Sequence, residues 1–184
     1  MRLTKKFPVL ATKCLTLRAP TPKDAAAFHA LMSQSGVTRY SNWPDAPSKT
    51  EAERSMRWMA KLHASGKGCA WIIEDRKSKA FVGAIRFNSI EKKWRCGQIG
   101  YESHPGFWGR GFMSEAVAAV VACGHDTFGL NRIDAWTLPG NAASDRVLEK
   151  SGFRHEGVLR QRAWFKGAFH DFRMFGRVAG DPVG

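Results

Sequence analysis

Metal-binding, redox and membrane signatures are missing from this chain. Its four cysteines, Cys14, Cys69, Cys96 and Cys123, form no Cys-x-x-Cys pair. Its six histidines never fall four apart or in His-Glu-x-x-His spacing. Zinc sites and dithiol redox motifs need those spacings, so no metal is expected. Scattered thiols suit a compartment that keeps them reduced, and the cytoplasm is expected. No apolar run reaches the ~20 residues that cross a bilayer. Residues 1–13 (MRLTKKFPVLATK) are basic and lack the apolar core of a secretory leader, so neither a membrane span nor an export signal is expected. Acid is scarce: 16 Asp and Glu stand against 29 Lys and Arg, a formal charge of +13. Like charges repel on encounter, which disfavours a polycationic partner and mildly favours an acidic one. The excess is spread out, with no block of like charge and no nucleic-acid-binding motif, so direct nucleic-acid binding is not expected.

What is present fits one compact unit. With 184 residues and 43% apolar content, a single domain over 1–184 with a short extension at 1–13 is expected. Leu15–Arg18 alternates as a strand. Thr21, Pro22 and Asp24 start a helix that carries Ala25, Phe28, Leu31 and Met32 on one face and runs to about Ser33. Ser48 or Thr50 opens a second helix, with Met56, Met59, Ala60 and His63 toward the core, ending at Gly66 and Gly68. Three antiparallel strands follow over Cys69–Glu74, Phe81–Ile90 and Arg95–Ser103. A helix is predicted over Gly109–Phe128, a strand over Ile133–Thr137 and a helix over Ala142–Ser151. A closing hairpin, Phe153–Trp164 with Ala168–Val178, turns at Lys166-Gly167. The class is α+β, with a mixed, mostly antiparallel sheet flanked by helices.

Residues 104–118, HPGFWGRGFMSEAVA, are the most informative stretch. The turn Gly109-Arg110-Gly111 opens straight into an apolar, small-residue helix. Backbone N–H groups at such a helix start, reinforced by the helix dipole, favour an anion. Glycine lets a phosphate reach the backbone. No Gly-Lys-Ser/Thr follows, and the full G-x-G-x-x-G run with a later acidic residue is absent, so P-loop and dinucleotide-fold readings fail.

A second block, Leu138–Gly157, reads LPGNAASDRVLEKSGFRHEG. Asn141 is a good N-cap and Gly152 a helix terminator. Together the blocks resemble the GNAT acetyltransferase superfamily (acyl-CoA N-acyltransferase fold), in its RimJ/RimL-type branch. The matching residues are Leu15–Arg18, Ile99–Tyr101, Trp108–Ala116, Asn141–Phe153, Glu156–Gln161 and the basic, aromatic tail to Val178. The superfamily usually places Gln or Arg three residues before the first glycine of its pyrophosphate motif. Here that position is Gly106, which leaves a main-chain cradle and makes Arg110 the compensating side chain.

The resemblance implies direct transfer of an acetyl group from acetyl-CoA to a primary amine, without a metal. Phe107, Trp108, Gly109, Arg110, Gly111, Phe112 and Met113 would surround the pyrophosphate. The strand end Tyr101–Ser103 would pair with the pantetheine arm through a gap between two splayed strands. Asn141 would contact that arm, an assignment compatible with its capping role. Ser144 falls where the branch places a general acid for the departing thiolate, and it equally suits a helix cap. Glu156 falls at the branch's general base, with Glu102 as runner-up; a glutamate at either position also suits an ordinary strand residue. Trp43 would line the acceptor pocket or pack in the core. The implied acceptor is a protein N-terminal α-amine of ribosomal-protein type; a small-molecule amine, or a non-catalytic acetyl-CoA sensor, is the alternative. An RNA- or ribosome-associated basic protein ranks below these. A homodimer through the aromatic C-terminal hairpin, or a monomer, fits equally.

Overall fold

The computed structural model describes residue 4 and residues 6–182. Residues 1–3 and 5 of the expected extension lie outside the described residues. In chain order the elements are β1 (Leu10–Ala11), β2 (Leu15–Arg18), α1 (Ala25–Met32), α2 (Lys49–Ser65), β3 (Cys69–Asp75), β4 (Phe81–Glu91) and β5 (Cys96–Ser103). They continue with α3 (Phe112–Ala122), β6 (Arg132–Thr137), α4 (Ala142–Lys150), β7 (Arg154–Phe165) and β8 (Ala168–Val178). The strands form one sheet in the order β1-β2-β3-β4-β5-β6-β8-β7. Every neighbour pair is antiparallel except β5–β6.

Strand alternation sends side chains to two separate cores. On one face Trp71, Ile73, Ile85, Phe87 and Ile133 pack against α3 and α4. On the other, Ala70, Ile72 and Ala84 meet α1 and α2. With both faces covered, Cys69–Ile73 of β3 are all buried, and the strand reads as a continuous apolar run. On α2 the buried stripe is Ala52, Met56, Met59 and Leu62. Ala60 is exposed and His63 only half-buried, which corrects the expected face by part of a turn.

Two boundaries differ from expectation for packing reasons. Part of the 1–13 extension joins the sheet as β1, because the buried Trp71 indole N–H needs an acceptor and the Pro8 carbonyl supplies it at 2.7 Å. The long helix expected to Phe128 ends at Ala122 and widens into a π-turn over Cys123–Thr127. Gly124 lies within that turn. A Cβ there would stand 2.7 Å from Phe87 and 2.8 Å from Ile133, so the backbone lies directly on the sheet.

The start of α1 is pinned to the sheet by charge. Pro22–Asp24 form a 3-10 turn whose Asp24 carboxylate accepts from the Thr21 backbone at 2.7 Å and from Arg18 at 2.6 and 2.9 Å. Burial pushes the Asp24 carboxyl up, but the Arg18 and Thr21 hydrogen bonds outweigh it and hold the group below its usual range. Asp24→Asn should therefore lower stability at pH 7 by about 1–3 kcal/mol. A depressed folded-state pKa contributes above the unfolded value near pH ~4 and fades as pH falls through the folded one. The gap between variant and wild type in urea denaturation should close on acidification; a gap that persists into acid would refute the ionic role.

Candidate active site

The parallel β5–β6 ladder stops early. It joins Cys96, Gly97 and Gln98 to Arg132, Ile133 and Asp134, and goes no further. Beyond it, Ile99–Ser103 stay paired with β4, while Ala135–Thr137 stay paired with β8. A register shift in β4 between Phe87 and Ser89 lies opposite Gln98 and Ile99, where the ladder ends. Bulges bend a strand and raise its twist, which accounts for β5 turning away from β6 at this level. The sheet thus has a gap, as the resemblance implied.

A cleft of about 600 Å³ occupies this gap. Its lining includes Gln98, Gly100 and Glu102, and also the alternate residues Ile99 and Tyr101. Successive strand residues face opposite sides, so the cleft passes through the sheet. On the α3–α4 side stand Tyr101, Asn141 and Ser144. The Tyr101 hydroxyl lies 2.7 Å from Ser144 Oγ, and Asn141 Oδ1 caps α4 by accepting from the Ser144 N–H at 3.3 Å. Burial pushes the Tyr101 phenol up, beyond physiological pH, so it stays protonated.

The opposite mouth of the cleft is aromatic. Trp43 and Tyr40 come from the α1–α2 loop, Trp58 from α2, Trp136 from β6 and Phe172 from β8. Trp136 and Phe172 stack with centroids 4.1 Å apart. Trp43 lines the cleft and rests edge-on against Phe28 at 5.6 Å. Among the described residues, Glu102 is the only acidic side chain in the lining. Its two oxygens accept from Arg86 at 2.6 and 2.9 Å, and Arg86 also donates to Asn88 at 2.7 Å. This pair is nearly sealed from solvent. Neither Arg86 nor Trp58 was singled out from the sequence, because strand and helix positions far apart in the chain carry no local signal.

Glu156 must be corrected. It does not line the cleft; both its oxygens are held by Arg132, at the closed end of the β5–β6 ladder. The Arg132 hydrogen bond lowers the Glu156 carboxyl, despite an opposing effect of burial. What separates it from Glu102, which an arginine also holds, is position: outside the cleft lining, it is not placed to meet an amine bound there. The bulge between His155 and Gly157 turns Glu156 toward Arg132, a tertiary detail invisible in the motif.

The glycine turn has the form that a pyrophosphate needs. Gly109 and Gly111 take φ of +73° and +79°, and a Cβ at either would point into open space. Gly111 caps α3, and among the described residues no side-chain cap forms there, which leaves leading N–H groups of the helix available. Arg110 lies beside them, its guanidinium 4.6 Å from the Phe112 ring centroid and 5.2 Å from that of Phe107. Phe112 and Met113 are otherwise buried in the core. Trp108 folds back, donating to the Ser103 carbonyl at 2.9 Å, and the Gly106 N–H is taken by His104 at 3.1 Å. This donor set fits coenzyme A: main-chain N–H groups beside Arg110 would meet the pyrophosphate, and the gap in the sheet would take the thiol arm.

Comparison with known proteins agrees. Residues 15–154 match the acetyltransferase (GNAT) domain model. The chain is 39% identical to the uncharacterized N-acetyltransferase YoaA of Bacillus subtilis, over 94% of this chain and 97% of that one. It is 27% identical to the ribosomal-protein-serine acetyltransferase of Escherichia coli, over 74% of this chain and 76% of the relative. Among solved structures, the RimL ribosomal L7/L12 α-N-protein acetyltransferase in complex with coenzyme A superposes with a TM-score of 0.84 at 24% identity, covering 93% and 98%. A spermidine N-acetyltransferase of Vibrio cholerae superposes at 0.79 with 20% identity, covering 92% and 98%.

Gly109→Glu places a charged side chain on a positive-φ backbone at the cradle, and should weaken acetyl-CoA binding by at least about 100-fold, the scale of one lost charged hydrogen-bond set. Calorimetric titration would measure it, and wild-type affinity would dismiss the cradle. The chain belongs to the GNAT family of acetyl-CoA-dependent N-acetyltransferases, related to the ribosomal-protein acetyltransferases.

Proposed function

We infer that the acceptor is the N-terminal α-amine of a protein, and that transfer takes place in a ternary complex within the cytoplasm. The observation that carries this reading is the charge of the cleft: among the described residues its sole lining carboxylate, Glu102, is already neutralised by Arg86. A polyamine brings several ammonium groups that need several unpaired carboxylates. An N-terminus brings one amine followed by peptide groups, and Ser41, Asn42, Asn88 and Gln98 offer amides and a hydroxyl to meet them. The basic surface disfavours a polycation as well, and suits an acidic protein partner. The four free cysteines accord with a reducing compartment. A homodimer joined through the exposed Val158, Leu159, Trp164 and Phe169 of the β7–β8 arm belongs to the same reading.

When bound, acetyl-CoA supplies an activated thioester. The protein supplies position and proton handling. Ser144 Oγ carries a proton at the inner side of the gap, and the Tyr101 hydroxyl orients it. The α4 dipole and Asn141 hold Ser144 in place. Glu102 replaces Glu156 as the base, taking the amine proton directly or through one water, with Arg86 fixing the direction of its oxygens.

Thiol release from acetyl-CoA should be faster with peptides bearing a free N-terminal serine or alanine than with spermidine. The reverse order would overturn the protein-acceptor reading. Glu102→Gln should slow transfer by about 10²–10⁴-fold and spare acetyl-CoA binding. Glu156→Gln should leave turnover unchanged and cost at most about 1 kcal/mol of stability, as for an exposed ion pair. If only the Glu156 variant loses activity, the base assignment is wrong.

A further inference from the structure

The β7–β8 hairpin turns through Lys166-Gly167, flanked by the Phe165–Ala168 pair. Both turn residues have positive φ, +50° for Lys166 and +74° for Gly167. Two-residue hairpin turns favour Asn-Gly or Asp-Gly for this reason, and lysine is a costlier choice at the first position. Its ammonium is not released to solvent in return. The side chain is only 21% exposed and folds onto the α1–α2 loop. There Nζ donates to the Thr38 carbonyl at 2.7 Å and to Asp45 Oδ1 at 2.6 Å, across 128 and 121 residues of sequence.

The Thr38 carbonyl is a node. It also accepts from the Ser41 backbone and from the Ser41 hydroxyl, each at 3.1 Å. Ser41 Oγ in turn accepts from the Trp43 N–H at 3.2 Å. The segment organised in this way, Tyr40 to Pro44, walls the outer mouth of the cleft. The turn tip, though outside the cleft, is thus bonded to the segment that forms its wall.

We propose that Lys166 is a positioning residue for the amine acceptor, latching the α1–α2 loop so that Tyr40 and Trp43 wall the outer mouth of the cleft. The proposal rests on reading that mouth as the acceptor side. Of its two contacts the carbonyl is the anchor, because Asp45 is 80% exposed and an ion pair in water contributes little. The coenzyme cradle, built on β5 and α3, is independent of the latch.

The test compares wild type with Lys166→Met, which keeps the stem and removes the donor, and Lys166→Arg, which keeps a donor. Hydrogen exchange followed by mass spectrometry should show faster exchange in Lys166→Met confined to residues 34–47, with trypsin cutting sooner after the exposed Arg39. With a serine-terminated hexapeptide and with spermidine as acceptors, the amine KM should rise about five- to tenfold, the scale of one ordinary net hydrogen bond. kcat and acetyl-CoA affinity should hold, and Lys166→Arg should recover most of the loss. Unchanged exchange over 34–47 would overturn the latch, even if neither amine proves to be a substrate. Faster exchange with an unchanged amine KM, or a parallel loss of acetyl-CoA affinity, would overturn the positioning role. Turnover of neither amine by wild type would count against the acceptor reading alone, with the exchange result still deciding the latch.

Discussion

The site depends on a sheet that fails to close. After three residue pairs the β5–β6 ladder ends, leaving the backbone edges of Ile99–Ser103 and Ala135–Thr137 without each other. Unpaired backbone groups inside a protein are costly unless something satisfies them. An extended ligand arm rich in amides can do so by taking the place of the missing strand contacts. The same gap joins the two faces of the sheet, so a donor held by the α3–α4 face can meet an acceptor held at the α1–α2 face. The bulge in β4 and the partition of β6 to β8 maintain the opening from both sides.

Within the gap, charge is arranged sparingly. Arg86 and Glu102 are both about nine-tenths buried and satisfy each other through two hydrogen bonds, with Asn88 taking a third. Desolvating two charges costs several kcal/mol, and such a pair seldom adds net stability. Its value here is geometric, because it sets the direction of the Glu102 carboxylate in the cleft and balances its charge. Glu156 and Arg132 illustrate the contrast. They pair in a partly exposed position at the closed end of the ladder, outside the cleft lining, where their effect on stability is small.

The outer wall is assembled from elements remote in sequence. A loop after α1, one turn of α2, two strand residues and a hairpin tip converge on one mouth. The inner wall is more local: Asn141 and Ser144 share one helix start, and the glycine turn runs directly into α3. On the proposed reading, donor binding rests on short, contiguous segments and acceptor binding on long-range contacts. That division allows one scaffold to keep its coenzyme site while the acceptor changes.

The same division explains what could be read without coordinates. The order of strands and helices, the glycine turn at Gly109 and Gly111, the Asn141 cap, a start of α2 at Ser48 or Thr50 and the Lys166-Gly167 turn are all local, and residue type alone specifies φ, caps and alternation. The family and its coenzyme chemistry followed from those ordered motifs. Local pattern could not report which carboxylate enters the cleft. Glu156 sits in a motif and Glu102 on an unremarkable strand, yet a bulge and Arg132 take the first away while Arg86 and the splay hold the second in place. The apolar stripe of α2, the π-turn forced by Gly124 against Phe87, and the reach of Lys166 to Thr38 were likewise settled only in three dimensions. Each depends on packing or hydrogen bonding between residues far apart in the chain, and sequence periodicity records one chain's local geometry, not its partners.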